Sequence, residues 1–172
     1  MATPNLKKYL KTLTKEELIK HILDLDKKFK PVQQYYQVFV NNDVSGTIGK
    51  FKKVIENELY PLRGMPKMRL SVARKAVTEA KKLGLPPEAM ADLMLFYVET
   101  GAQFTRDYGD IDEPFYSSME SMFLKALQHM ESEGLLPAFN NRARTNILER
   151  TVDTGWGFHD TMGDYYYQFY DE

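Results

Sequence analysis

Cysteine is absent from the 172-residue chain, which excludes a disulfide scaffold, a thiolate zinc site and a cysteine nucleophile. Long apolar runs are absent too. The longest, Met90–Val98, is broken by Asp92 and falls far short of the roughly 20 residues a membrane span needs. The opening MATPNLKKYL lacks the apolar core of a secretory signal, so a cytoplasmic protein with no membrane contact is expected. No GxSxG, P-loop or GxGxxG string occurs, and with them go the usual signals of acyl transfer by a nucleophile elbow and of classical nucleotide binding. His21 and His129 stand alone in their segments and fit neither HExxH nor the Glu-x-x-His pattern of di-iron bundles. Both read as surface or boundary residues. Sustained alternation at period two, the mark of a half-buried strand, is missing as well.

What is present suits a globular domain. Hydrophobic residues make up 43% and charged residues 27% of the chain, too apolar for disorder. A chain of this length buries roughly 68–70% of its unfolded surface without needing a metal or a disulfide. One domain over residues 1–172 is expected. The net charge of −1 conceals an asymmetry: residues 1–85 carry 18 Lys and Arg against 8 Asp and Glu, whereas residues 86–172 carry 5 against 16. Such a split suggests an acidic partner for the basic half, or pairing of the two halves within or between chains.

Helical punctuation recurs along the chain. Thr14 and Glu17 form a capping box ahead of Leu18, Ile22 and Leu25, with Ile19 and Leu23 widening the stripe, and predict a helix over 15–29 that stops before Pro31. Residues 31–40 read as a second helix. Asn41–Asn42–Asp43 and Ser45–Gly46 read as a loop, 49–60 as a helix and 60–69 as a connector. The 69–83 helix ends on Gly84 as a left-handed cap before Pro86–Pro87. The 87–108 helix is apolar nearly all round and belongs in the centre. Helices over 115–133 and 138–152, and one from Phe158, complete the set. The expected fold is all-α: a bundle or short helical solenoid of seven to eight antiparallel helices.

Three segments draw attention. Asp107, Asp110, Asp112 and Glu113 surround Gly109. Carboxylates this dense can hold a hard cation, but the spacing is not that of an EF-hand. The simpler reading makes Asp112 the cap and Glu113 the dipole partner of the next helix. In Gly155–Trp156–Gly157–Phe158–His159–Asp160, His159 is a potential base or ligand. A ligand site from Asp110, Asp112, Glu113, Trp156, His159 and Asp160 requires the two segments to meet; otherwise Trp156 and Phe158 are core anchors and His159 locks a turn. No cofactor and no metal is implied. Lys50, Lys52, Lys53, Arg69, Arg74, Lys75, Lys81 and Lys82 form a basic face that lacks the interleaved aromatics of a nucleic-acid surface. The methionines at 90, 94, 119, 122 and 130 read as core filler, or as an adaptable groove. Tyr165, Tyr166, Tyr167, Phe169 and Tyr170 exceed what one helix face can bury, which suggests a partner surface.

The strings KKYLKTLTKEELI, RLSVARKAV, YGDIDEPFYSSMESMF and GWGFHD with its tyrosine-rich end resemble those of a bacterial family, domain of unknown function 6155. The resemblance spans about residues 6–170. It implies a stand-alone bacterial protein of this size and brings no activity, substrate or catalytic residue. The functional expectation is therefore a non-enzymatic helical interaction module for a protein partner or a second copy, acting through the aromatic C-terminal segment or the basic N-terminal half. The alternatives are an enzyme or sensor with a polar, divalent-metal-binding site, or a weak nucleic-acid binder using the 50–82 basic residues.

Overall fold

A computed structural model describes residues 4–41 and 43–170 of the chain, so Asn42 of the expected loop lies outside the described residues. Every regular element among them is a helix. The chain divides into two compact units, residues 1–43 and 44–172.

The first unit holds α1 (Pro4–Leu10), α2 (Lys15–Lys28) and α3 (Lys30–Asn41). Both halves of the capping box form at α2: the Thr14 hydroxyl accepts from the Glu17 amide at 3.2 Å, and the Glu17 carboxylate accepts from the Thr14 amide at 2.8 Å. Phe29 breaks the helix by turning extended, φ −127°, just before the Lys30–Pro31 pair, where proline leaves no amide to continue the ladder. The α2 and α3 helices pack against each other, yet Val38, 4% exposed, is the one buried side chain among this unit's described residues.

The second unit holds α4 (Val44–Leu59), α5 (Leu70–Lys82), α6 (Pro87–Tyr108), α7 (Glu113–Ser132), α8 (Leu136–Asn146), a 3₁₀ turn over Leu148–Arg150 and α9 (Phe158–Tyr170). The central position expected for 87–108 is observed: α6 touches α4, α5, α7 and α8. Leu93, Leu95, Val98 and Ala102 of α6, and Met119, Phe123, Ala126 and Leu127 of α7, lose all solvent exposure. Gly101 lets α7 approach this closely, since a Cβ there would collide with the Met119 side chain. Glu58 organises the 60–69 connector. Its backbone carbonyl accepts from the Lys67 and Met68 amides at 3.0 and 2.9 Å, and its carboxylate takes Arg69 at 2.9 and 2.7 Å.

Three expectations need correction. Nine α-helices are present among the described residues, where seven to eight were expected. The extra one, α1, has seven residues, too few to display a 3.6-residue period. The expected loop at Ser45–Gly46 is the first turn of α4, where burial of Ile48 at 5% exposure outweighs the roughly 1 kcal/mol helix penalty of Gly46. The 138–152 helix ends at Asn146 and gives way to the 3₁₀ turn. No helix among the described residues is long and apolar enough to cross a membrane.

Candidate functional site

The two sequence segments do meet, but through atoms that make a structural clasp. Asp112 is extended at φ −142° and caps α7, its Oδ1 accepting from the Phe115 amide at 2.9 Å, while Glu113 occupies the first turn. Asp110 reaches across to the other segment. Its Oδ1 accepts from the Gly155 amide and from the Tyr116 hydroxyl, both at 2.8 Å. Those two donors, the Gly155 amide first, hold the Asp110 carboxyl below the usual carboxylate range. Tyr116 in turn bonds Thr105 at 2.7 Å and accepts from the Ile111 amide at 3.2 Å, so the buried phenol ties the acidic loop to α6.

Gly155 is there for space: a Cβ would strike the Asp110 carboxylate. Replacing it with alanine is expected to break the clasp and lower stability. Because Asp110→Ala removes the same contact, chemical denaturation of the double variant should show it no less stable than Gly155→Ala alone.

Trp156 corrects an expectation. It is 64% exposed and held at φ +60°, so it anchors no core, whereas Phe158 beside it is fully buried and stacks against Tyr116 at 4.6 Å. The next residue, His159, bonds Thr151 Oγ1 at 2.9 Å and no carboxylate of the acidic loop. That hydroxyl already donates to the Leu148 carbonyl at 2.8 Å. With one hydrogen to give, it serves both neighbours at once only when it accepts from His159 Nδ1, and Nε2 has no partner among the described residues. His159 and Asp160 line an open cavity of about 530 Å³ with Glu149 and Asp164. No set of three or more His, Asp or Glu arranged to hold a metal ion occurs among the described residues.

The basic face is divided by pairing. Lys52 bonds Asp92 at 2.8 Å, Arg69 bonds Glu58 at 2.7 Å and Lys82 bonds Glu79 at 2.8 Å. Lys50, Lys53, Arg74, Lys75 and Lys81 are exposed. The aromatic C-terminus is divided too: Tyr166 is buried, with its hydroxyl on Asn140 at 2.5 Å, Tyr170 packs on it at 4.8 Å, and Tyr167 is 55% exposed.

The sequence did not reveal the most elaborate polar arrangement. Arg142 on α8 grips Glu99 through Nε at 2.6 Å and Nη2 at 2.8 Å, and bonds Asp92 through Nη1 at 2.6 Å. Lys52 from α4 meets the same aspartate and lies 5.0 Å over the Phe96 ring, and Asn146 adds a bond to Glu99 at 3.1 Å. Burial pushes the Asp92 carboxyl up, but hydrogen bonds from Lys52 and Arg142 more than reverse this and hold it below its ordinary value. Burial likewise disfavours the Arg142 charge, and the two carboxylates overcome that. Two cations and two carboxylates cancel, so the network joins α4, α6 and α8 without leaving a charge for a ligand. Its signal was the i, i+7 pair Asp92 and Glu99 in the apolar middle of that helix.

The greatest concentration of exposed apolar surface lies in the first unit. Of eighteen large hydrophobic side chains exposed among the described residues, ten fall within 4–41, including Ile19 at 47%, Leu23 at 55% and Phe29 at 51%.

The model of a family described as "Family of unknown function (DUF6155)" matches residues 1–170, and the chain belongs to that family. No curated protein and no solved structure matches it.

Proposed function

We propose that this member of a family of unknown function is a non-enzymatic helical interaction module whose first unit binds a protein partner, a second copy of the chain included. The observation that carries the reading is the pairing of well-formed helices with almost no core over residues 4–41. A unit of about 40 residues is at the size where folding usually needs outside support, and the one valine buried among the described side chains supplies very little. Ten half-exposed large side chains leave on the order of 1 kcal/mol each to be gained on burial. That total matches the roughly 4–15 kcal/mol that association costs in lost freedom, which suits a reversible complex. The α3 sequence Pro31–Asn41 contains no charged residue, the composition of an interface centre.

A photo-crosslinking residue in place of Leu23, in the full chain and in the cells that make it, tests this. A discrete adduct is expected, at twice the chain mass or at that mass plus one partner, with none from the same residue at Lys75. Equal smearing from both positions, or no adduct, would sink the reading.

A second reading, a sensor or enzyme site, draws on the free Nε2 of His159 beside Asp160 and Asp164. If it holds, a divalent cation such as manganese or zinc raises the melting temperature and His159→Ala abolishes the shift; unchanged melting removes it. Nucleic-acid binding is the weakest of the three, because Lys52, Arg69 and Lys82 spend their charge on carboxylates of the same chain.

A further inference from the structure

The second unit carries a groove independent of the surface just proposed. Its walls are α5 and α7, its floor is the first half of α6, and its volume is about 740 Å³. Its apolar lining is rich in methionine, with Met90 and Met94 from α6 and Met122 from α7 beside Val77, Leu85 and Pro87. Unbranched thioether side chains adapt to an apolar visitor better than branched ones do. The rims are cationic, with Arg74 and Lys81 on α5 and Lys125 on α7, against the single acid Glu133. Elsewhere in this unit Lys52, Arg69, Lys82, Arg142 and Arg144 all have carboxylate partners. Arg74, Lys81 and Lys125 have none among the described residues. Lys50, Lys53 and Lys75 also lack carboxylate partners among the described residues, but Arg74, Lys81 and Lys125 are the ones that border the apolar floor.

We infer that this groove docks an acidic amphipathic helix from another protein. Arg74 and Lys81 are seven residues apart, which sets their charges about 10 Å apart along one wall, and Lys125 faces them from the other. One carboxylate on an alkyl chain cannot meet cations spread this way, whereas acidic residues flanking an apolar stripe can. From Met122 to Glu133 the α7 wall is about 16 Å long, room for three turns of a helix laid in the groove. His129 stiffens this wall: its Nε2 bonds the Pro87 carbonyl at 2.9 Å, fixing α7 to the start of α6. A nucleic acid would find no aromatic ring on the floor to stack against.

The probe is a fluorescent helical peptide of about sixteen residues, with leucine at i, i+3, i+4 and i+7 and glutamate on the flanks, titrated with the full chain. Saturable binding is expected to weaken about tenfold, equivalent to about 1.4 kcal/mol, in Arg74→Glu/Lys81→Glu, whose side chains sustain no ion pair in the fold. The same peptide with lysine flanks should reverse the preference and favour that variant. Leu23→Lys should change nothing here, so failure of this site is separable from failure of the N-terminal surface. The inference is overturned by no binding of the glutamate peptide, by binding indifferent to the charge reversal, or by displacement with laurate at lower concentration than with unlabelled peptide.

Discussion

Arg142→Met is expected to lower the stability of the chain by about 2–3 kcal/mol at pH 7, or a melting temperature drop of roughly 5–10 °C at this size. The figure lies between two limits. Removing one partner of a fully buried pair costs about 3–5 kcal/mol, and an exposed pair contributes about 0–1. Arg142 is 25% exposed and Glu99 13%, nearer the buried limit. Methionine keeps most of the arginine stem's packing, so the loss isolates the guanidinium. Asp92 retains Lys52, and the stranded group is Glu99, with only Asn146 left to it. Adding Glu99→Leu should therefore recover most of the deficit, because a half-buried carboxylate without a partner is worse than none. If the double variant is no better than the single, the damage lies in packing and not in charge.

The pH dependence follows from Asp92. Its folded carboxyl titrates below its unfolded one, so the stabilisation is complete above the unfolded value near 4 and fades as pH falls through the lower folded value. Denaturant midpoints should then differ strongly between wild type and Arg142→Met at pH 7 and converge toward pH 3. A constant difference across that range would show that the network's contribution does not depend on the carboxylates' charge.

These expectations turn on contacts that sequence reading does not reach, and the division is physical. Features decided within one or two turns were legible. The Thr14–Glu17 box, the Asp112 cap and the left-handed Gly84 at φ +62° depend on neighbours three or four residues away. The central place of α6 was legible because a helix apolar on several faces has nowhere else to go. The Arg142–Glu99 grip spans 43 residues and the Asp110–Gly155 clasp 45, and nothing local tells which distant group either partner meets. The acidic and glycine-rich segments were flagged together, yet the joining atoms are a carboxylate and a backbone amide, which side-chain types cannot foretell. Trp156 was misplaced for a related reason. Its hydrophobicity argues for burial, but the left-handed backbone between two glycines turns it outward while Phe158 takes the core position. The weak core of residues 4–41 was invisible because the α2 stripe reads the same whether or not something covers it.

Gly101 presents the opposing case, where a single position in mid-helix is set by what faces it. Alanine there would gain about 1 kcal/mol in helix propensity, and on an exposed face that would decide the outcome. Here the new methyl meets the side chain of Met119, which is fully buried and has no solvent to move into. Overpacking costs typically 1–3 kcal/mol, so Gly101→Ala should come out neutral to about 2 kcal/mol destabilising. Gly101→Leu must displace far more volume at the contact between the two most buried helices and should cost on the order of 4 kcal/mol or fail to fold. Trading volume across the contact settles the cause. Gly101→Leu with Met119→Ala restores the apolar volume near its original value and should be clearly more stable in denaturant than Gly101→Leu alone. If shortening Met119 brings no rescue, the glycine is required for its backbone and not for the space it leaves to α7.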